Sequence, residues 1–449
     1  MTRRLSFIEI NKEQFDMFFY GRSPYMKTFS NEISWFKFEK DGITLLATIV
    51  LCNIDKDFNA IILGRDLNKK FRAINVIASF TSKEDLIVEV NSCIPKMLSQ
   101  HHNGLFMQGD ESPETFSLFM RKVPEEKRNI YMKMLLEDPK HYPAYIVLEE
   151  LAYWFKDPDG IFIRDFQSAS FNSRLFELYL NAVFYELDFT MNRNHNQPDF
   201  MLSKFNIEIA VEAASIAEIE DPLEKKIVNQ KQYEEIDFHV KNVMPFKFAR
   251  TLLKKVNHRP EPNKLYYWEL EHTKNKPFII AMQDYSKRMS MGFSNVALHS
   301  YLYGVDMETG NKIEVHSYES RSIKSNFFSS PKNKHVSAVF LTTQATLPKF
   351  NRMGVLAGIE QKDCKTIVNG TRTDDDFNIV PFVADISDSK YEEPWCTAAY
   401  MYHNPNAHNP VDYRLFPNVV HVFQKDDGFE ELVPKNYILQ STTVVLSTH

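Results

Sequence analysis

Three carboxylates, Asp199, Glu208 and Glu212, fall within one segment, Gln197-Pro198-Asp199-Phe200-Met201-Leu202-Ser203-Lys204-Phe205-Asn206-Ile207-Glu208-Ile209-Ala210-Val211-Glu212-Ala213-Ala214-Ser215. If Phe205 to Ser215 is a strand, its side chains alternate between faces, so Glu208, Ala210, Glu212 and Ala214 share one face and Ile207, Ile209, Val211 and Ala213 the other. A preceding strand at Asp199 to Leu202, joined by a short hairpin around Ser203-Lys204, brings the Asp199 carboxylate beside that acidic face. Converging carboxylates repel unless a proton or a cation sits between them. Hard oxygen ligands with an open coordination sphere suit Mg²⁺ or Mn²⁺, and such an ion polarises a phosphate oxygen and lowers the pKa of a bound water. The same residues also have plain structural readings: Asp199 as a turn acid, and Glu208 and Glu212 as a solvated strand face.

Several elements must position these groups. Ile161-Phe162-Ile163 reads as a short strand, followed by a helix from Arg174 to Leu187 capped by Asn172 or Ser173. This helix carries Glu177, which can face inward or pair on the surface with Arg174. After the two strands comes a long charged helical region from about Pro222 to Val256, interrupted at Pro245. Lys276 to Met282 is then a strand and Asn295 to Leu302 a helix. The order is helix, strand, strand, helix, strand.

This segment resembles the PD-(D/E)xK nuclease superfamily, in which a helix with an inward Glu precedes a strand pair bearing an Asp and then a Glu-x-Lys. Arg174-Leu175-Phe176-Glu177-Leu178-Tyr179-Leu180 is similar to that helix, Pro198-Asp199 to the first half of the motif, and Glu212-Ala213-Ala214 to the second. The resemblance covers Ile161 to Gly304, about a third of the chain. It implies a restriction-endonuclease-like αββαβ core within a mixed α/β protein. It also implies that Asp199 and Glu212 hold Mg²⁺ or Mn²⁺ with the Ala213 carbonyl, that Glu177 assists, and that Glu208 is a fallback ligand. The implied activity is metal-dependent hydrolysis of DNA or RNA, in a restriction or phage-defence setting, with a homodimer or a defence partner protein as further expectations. Ala214 stands where the family has its lysine, the residue expected to orient the attacking water and stabilise charge on the phosphate. Lys204, Lys225, Lys226 and Lys231 are candidates to replace it. The alternative is a catalytically inactive nuclease-fold protein that binds nucleic acid or a protein partner.

Other patches carry weaker signals. Lys247, Arg250, Lys254 and Lys255 lie at helical spacings and form a basic face suited to a phosphate backbone. Thr346 to Gly354 interleaves basic and aromatic residues, although a solvated surface is the plainer reading. His403, His408, Asp412 and His421 include potential metal ligands, but Pro405 and Pro410 make their segment an irregular loop. Gln283-Asp284-Tyr285 ends a strand close to the expected site.

Composition narrows the classes. The chain has 449 residues and 13 glycines, and contains neither G-x-G-x-x-G nor G-x-x-x-x-G-K-[ST], which excludes phosphate binding by glycine-rich loops. A formal charge of -6 gives no global attraction to nucleic acid, so any contact must be local. Cys52, Cys93, Cys364 and Cys396 are far apart and suggest buried thiols rather than a zinc cluster or disulfides. The start lacks a secretory pattern and the longest apolar run, Ile43 to Cys52, is too short to span a bilayer, so a soluble, cytoplasmic protein without a membrane partner is expected. The length predicts several packed parts: a β-hairpin and α region over 1–110, a helical connector over 111–160, the nuclease-like core over 161–323 and a mixed region over 324–449.

Overall fold

The computed structural model describes residues 5–112, 115–157, 159–217, 237–259, 264–286 and 292–448. The protein is mixed α/β and divides into two units: Met1–Lys156 with Phe350–Asp363, and Asp157–Lys349 with Cys364–His449. Among the described residues no helix is long and apolar enough to cross a membrane.

The first unit is built on a five-stranded antiparallel meander, β1 (Ile8–Ile10), β2 (Ser30–Lys40), β3 (Ile43–Cys52), β4 (Phe58–Arg65) and β5 (Phe71–Phe80), in that order. Short helices α1 (Lys12–Asp16) and α2 (Met26–Phe29) join β1 to β2. Asp41 and Gly42, at φ 52 and 79, form the tight turn between the paired residues Lys40 and Ile43. Positive φ at both positions suits an Asp-Gly turn, whose twist matches the flanking strands. Helices α3 (Lys83–Ser92) and α4 (Ile94–Gln100) bury Leu86, Val90, Ile94 and Met97 against Leu45, Ala47, Ile49, Ala60 and Ile62. Ser82 caps α3 by accepting from the Asp85 N–H at 3.1 Å. Within the expected helical connector, Glu125–Lys127 form a 3₁₀ turn and the Asn129 side chain caps a helix, α5 (Ile130–Glu137). Helix α6 (Tyr142–Trp154) follows.

The second unit contains, in chain order, α7 (Phe162–Phe166), α8 (Phe171–Glu186), β6 (Thr190–Asn192), β7 (Phe200–Lys204), β8 (Ile207–Ile216), α9 (Met244–Val256), β9 (Phe278–Asp284) and α10 (Ser294–Tyr303). Next come the hairpin β10 (Val315–Tyr318) and β11 (Arg321–Lys324), then β12 (Ala338–Thr342), β13 (Cys364–Thr373), β14 (Ile379–Asp385), β15 (Tyr400–His403), β16 (Val420–Lys425), β17 (Gly428–Leu432) and β18 (Ile438–Ser447). An eight-stranded mixed sheet has the order β17-β16-β15-β12-β9-β8-β7-β6. Its centre, β8, β9 and β12, is parallel, whereas β6, β7 and β8 are joined as antiparallel neighbours. Strands β14, β13 and β18 form a separate three-stranded sheet.

The residues at 161–163 depart from the expected strand. Phe162 and Phe166, one helical turn apart, are both buried in α7, and the Asp157 carboxylate accepts from the Phe162 N–H at 2.9 Å. Three apolar residues are too few to distinguish a period of two from one of 3.6. The region 324–449 supplies β12, β15, β16 and β17 to the same sheet as the central strands, so 161–323 shares one unit with 324–349 and 364–449, while Phe350–Asp363 belongs to the first unit. The first part of the expected helical run from Pro222, residues 222–236, lies outside those described. From 237 on the run is helical, and the interruption expected at Pro245 is matched by a π-helical stretch, His239–Val243, that gives way to α9 at Met244.

The core of this unit lies between the sheet and helices α9 and α10. It gathers Met201, Ala210, Ala214, Ile280 and Met282 from the strands with Met244, Phe248, Leu252, Val256, Leu298 and Leu302 from the helices. Each fully buried side chain of this size contributes roughly 1.5–3 kcal/mol relative to exposure. Helix α8 is itself largely buried, from Phe171 through Phe184, and the Phe184 ring meets Phe200 of β7 edge-on at 5.3 Å.

Candidate functional site

Strands β7 and β8 pair with Phe200 opposite Val211, and continuing this register places Asp199 opposite Glu212. Two hydrogen bonds join them. The Asp199 N–H donates to Glu212 Oε2 at 3.3 Å, and the Ala213 N–H donates to Asp199 Oδ2 at 2.8 Å. Two of the residues singled out in the sequence are therefore brought together.

Glu212 is buried, with 4% of its surface exposed. Its Oε1 accepts from Lys255 Nζ at 2.5 Å and from the Tyr267 hydroxyl at 2.8 Å. Burial and then the Asp199 charge push its carboxyl up to about 7, and Lys255 and Tyr267 reverse only part of that rise. Burial works against the Lys255 ammonium, but Glu212 and Asp199 outweigh it and hold Lys255 above its ordinary value. The Tyr267 phenol is raised by burial and by Glu212, so it remains a donor.

Lys255 thus leaves the basic face proposed for α9. Arg250 and Lys254 are exposed and Lys247 is half-buried, whereas Lys255, one residue beyond Lys254, turns toward the carboxylates. Of the lysines considered as replacements for the motif residue, Lys204 is directed elsewhere: its Nζ donates to the Leu187 carbonyl at 2.7 Å. Lys225, Lys226 and Lys231 lie outside the described residues.

Glu177 projects from α8 toward this region and is almost fully buried, but both of its oxygens are engaged. Arg174 reaches Oε1 at 2.7 Å and Arg193 reaches Oε2 at 3.0 Å. Burial and the nearby Asp199 charge raise its carboxyl, and the two guanidinium groups oppose that rise. Its pairing with Arg174 is the anticipated one, in a buried rather than a surface setting. The fallback Glu208 is not brought to the site. It lies opposite Ser203, has a side chain 51% exposed and pairs with Lys276 at 2.7 Å.

Other sequence candidates are engaged by partners within the protein. Gln283 Oε1 accepts from the Ala345 N–H, the Asp284 carboxylate from Ser286 and Ser294, and the Tyr285 hydroxyl donates to the Asn172 and Ala345 carbonyls. His403 and His421 bond each other at 2.9 Å, and His421 also meets the Phe416 carbonyl, while Asp412 is held by Arg414. Lys349, in the basic and aromatic stretch, is fully buried against Glu393 and so offers no charge to a surface groove.

Carboxylate oxygens on neighbouring strands are the donor type that a hard divalent cation takes. Asp199 and Glu212 supply oxygens on facing strand positions, and among the described residues Asp199 Oδ1 and the buried Gln197 Oε1 receive no hydrogen bond. Elsewhere among the described residues, Cys52, Asp55 and Asp57 at the β3–β4 turn are the one group of three potential ligands whose donor atoms lie within 4.8 Å of one another. Sequence reasoning missed the roles of Lys255 and Tyr267. Lys255 was visible only as one basic residue among four, and nothing local marks Tyr267. No protein-family model, curated protein or solved structure matches this chain.

Proposed function

We propose that the second unit is a metal-dependent phosphodiesterase of the PD-(D/E)xK type acting on DNA or RNA, with Asp199 and Glu212 as metal ligands. The order α8, β6–β8, α9, β9, with β8 and β9 parallel, supports a restriction-endonuclease-like core. The observation that carries the reading is Lys255. Ala214 leaves the motif without its lysine, and Lys255 of the following helix delivers an ammonium to Glu212 at 2.5 Å. An acid pair with one lysine is the chemical content of the motif, here with the lysine supplied by another element.

Asp199 and Glu212, with the Ala213 carbonyl, would hold Mg²⁺ or Mn²⁺, which when bound supplies polarisation of a phosphate oxygen and an acidified water. Lys255 orients a water and offsets charge developing on the phosphate. Glu177, whose carboxyl feels the Asp199 charge, is locked between Arg174 and Arg193 and assists from beside the ligand pair. Arg250 and Lys254 on the outer face of α9, with Lys247, supply sequence-independent attraction to the phosphate backbone.

The test is incubation of the purified protein with single- and double-stranded DNA and RNA in Mg²⁺, Mn²⁺ or chelator, beside Asp199→Ala and Glu212→Ala. Metal-dependent cleavage lost in both variants is expected, and cleavage unchanged in either sinks the assignment. Salt-sensitive binding without cleavage would instead identify an inactive nuclease-fold binder.

A further inference from the structure

The connection between α9 and β9 has no part in the metal-ligand motif, yet three of its side chains grip the β7–β8 hairpin and the loop before it. The Tyr267 hydroxyl bonds Glu212 Oε1 at 2.8 Å. His272 Nε2 meets the Gln197 carbonyl, two residues before Asp199, at 2.8 Å. Lys276 Nζ reaches Glu208 at 2.7 Å and the His272 carbonyl at 2.7 Å. We propose that this connection is a clamp that presets the two ligand-bearing positions, with Tyr267 positioning Glu212 and His272 positioning Asp199. The inference rests on the metal-site reading above.

The clamp is itself braced. The Tyr267 ring is buried, stacks on Phe278 of β9 at 5.6 Å and lies beside His258 at 5.4 Å. The Thr273 hydroxyl bonds the Tyr267 and Leu270 carbonyls, closing the turn that carries both Tyr267 and His272. The His272 ring lies flat on His195 at 3.8 Å, which fixes the loop entering Asp199 from a second direction. With Lys255 and Tyr267 both on Oε1, Glu212 is held so that Oε2 faces Asp199. Tyr267 therefore adds to Lys255 and the Asp199 N–H in fixing the plane of the Glu212 carboxylate. Partners that orient metal ligands in this way typically change metal affinity by about 10–100-fold when removed.

Tyr267→Phe keeps the ring and deletes only the hydroxyl. Mn²⁺ titration of the full chain, followed by electron paramagnetic resonance, is expected to show affinity weakened about 10–100-fold and an altered bound-ion spectrum, with an unchanged thermal midpoint in chelator. His272→Ala is expected to weaken binding, and His272→Gln, whose amide nitrogen can replace Nε2, to restore it. Wild-type affinity and spectrum in Tyr267→Phe, while Asp199→Ala and Glu212→Ala abolish binding, would overturn the clamp and leave the metal site standing. A loss of affinity matched by an equal loss of metal-free stability would also overturn it. If the wild-type chain binds no Mn²⁺, or both ligand variants bind it as the wild type does, the metal-site reading fails and the clamp fails with it.

Discussion

The second unit contains two buried lysine–glutamate pairs of nearly equal sequence separation, Lys255–Glu212 and Lys349–Glu393, and they are built differently. Lys349 and Glu393 are fully enclosed, with both side chains 0% exposed. Lys349 donates to Glu393 Oε1 at 2.7 Å, to the Pro394 carbonyl at 2.6 Å and to Thr397 Oγ1 at 3.3 Å, and the Tyr391 hydroxyl satisfies Glu393 Oε2. Every Lys349 ammonium proton has an acceptor. Around Lys255 the balance is different: Glu212 and Asp199 converge on a single ammonium, and Lys255 remains 23% exposed. A saturated pair ties a loop to a helix. A pair with surplus acid and an open side is suited to an exchangeable cation; burial first, and then the Asp199 charge, raise Glu212 to about 7.

Substitution of the two lysines should separate these roles. Lys255→Met is expected to lower metal-dependent cleavage on the order of a thousandfold, the scale for removing a group that stabilises transition-state charge; undiminished cleavage would make Lys255 structural. Lys349→Met should cost about 3–5 kcal/mol in urea denaturation, because Glu393 is left charged and enclosed, while cleavage per folded molecule is preserved. The stability cost of Lys255→Met should be smaller, since Glu212 can take up a proton instead. Equal costs would erase the distinction between the pairs.

Added metal should act on one pair only. Mn²⁺ at a hundred times its dissociation constant is expected to stabilise the wild-type chain by about 2.7 kcal/mol, with no such gain in Asp199→Ala. A gain retained in that variant would place the ion elsewhere, with Cys52, Asp55 and Asp57 the next location to examine.

The surplus acid has a pH signature in metal-free protein. Between the unfolded carboxyl value near 4.3 and the folded value of about 7, the folded chain holds a proton on Glu212 that the unfolded chain has released. Its stabilising contribution is therefore full below the unfolded value and is lost as pH rises through about 7. Buried His299 and His403, whose rings are lowered to about 4 and about 3 by burial, produce the opposite slope over part of this window. The difference between wild type and Glu212→Gln isolates the glutamate: from pH 4.5 to 8 the wild type should lose stability relative to the variant, and parallel curves would contradict the assignment. The smallest effects belong to the outer face of α9, where Arg250→Ala or Lys254→Ala should weaken nucleic-acid binding across all sequences. Each should reduce the salt slope by about 0.7–0.9.

Much of the local structure was legible because it is local. The helix over Arg174 to Leu187, now α8, and the hairpin at Ser203-Lys204 depend on neighbours within a few residues. Period-two alternation correctly separated Glu212 from Val211, and the short β7–β8 hairpin made Asp199 its partner. It could not separate Glu208 from Glu212, which share parity. That distinction came from register, which puts Glu208 opposite Ser203 and within reach of Lys276. Helix against strand at 161–163 was undecidable over three residues and was resolved by the burial of Phe162 with Phe166.

The sequence by itself determined which residues are acidic, which strand carries them and that no lysine follows Glu212 in the motif. Only the tertiary structure decided which cation answers them, because the Glu212–Lys255 and Glu212–Tyr267 bonds close loops of 43 and 55 residues. Contacts at that separation leave no periodic trace along the chain. They follow from the parallel pairing of β8 with β9, which requires a crossover between the two strands, here carrying α9 and the Tyr267 turn onto the face where Glu212 lies.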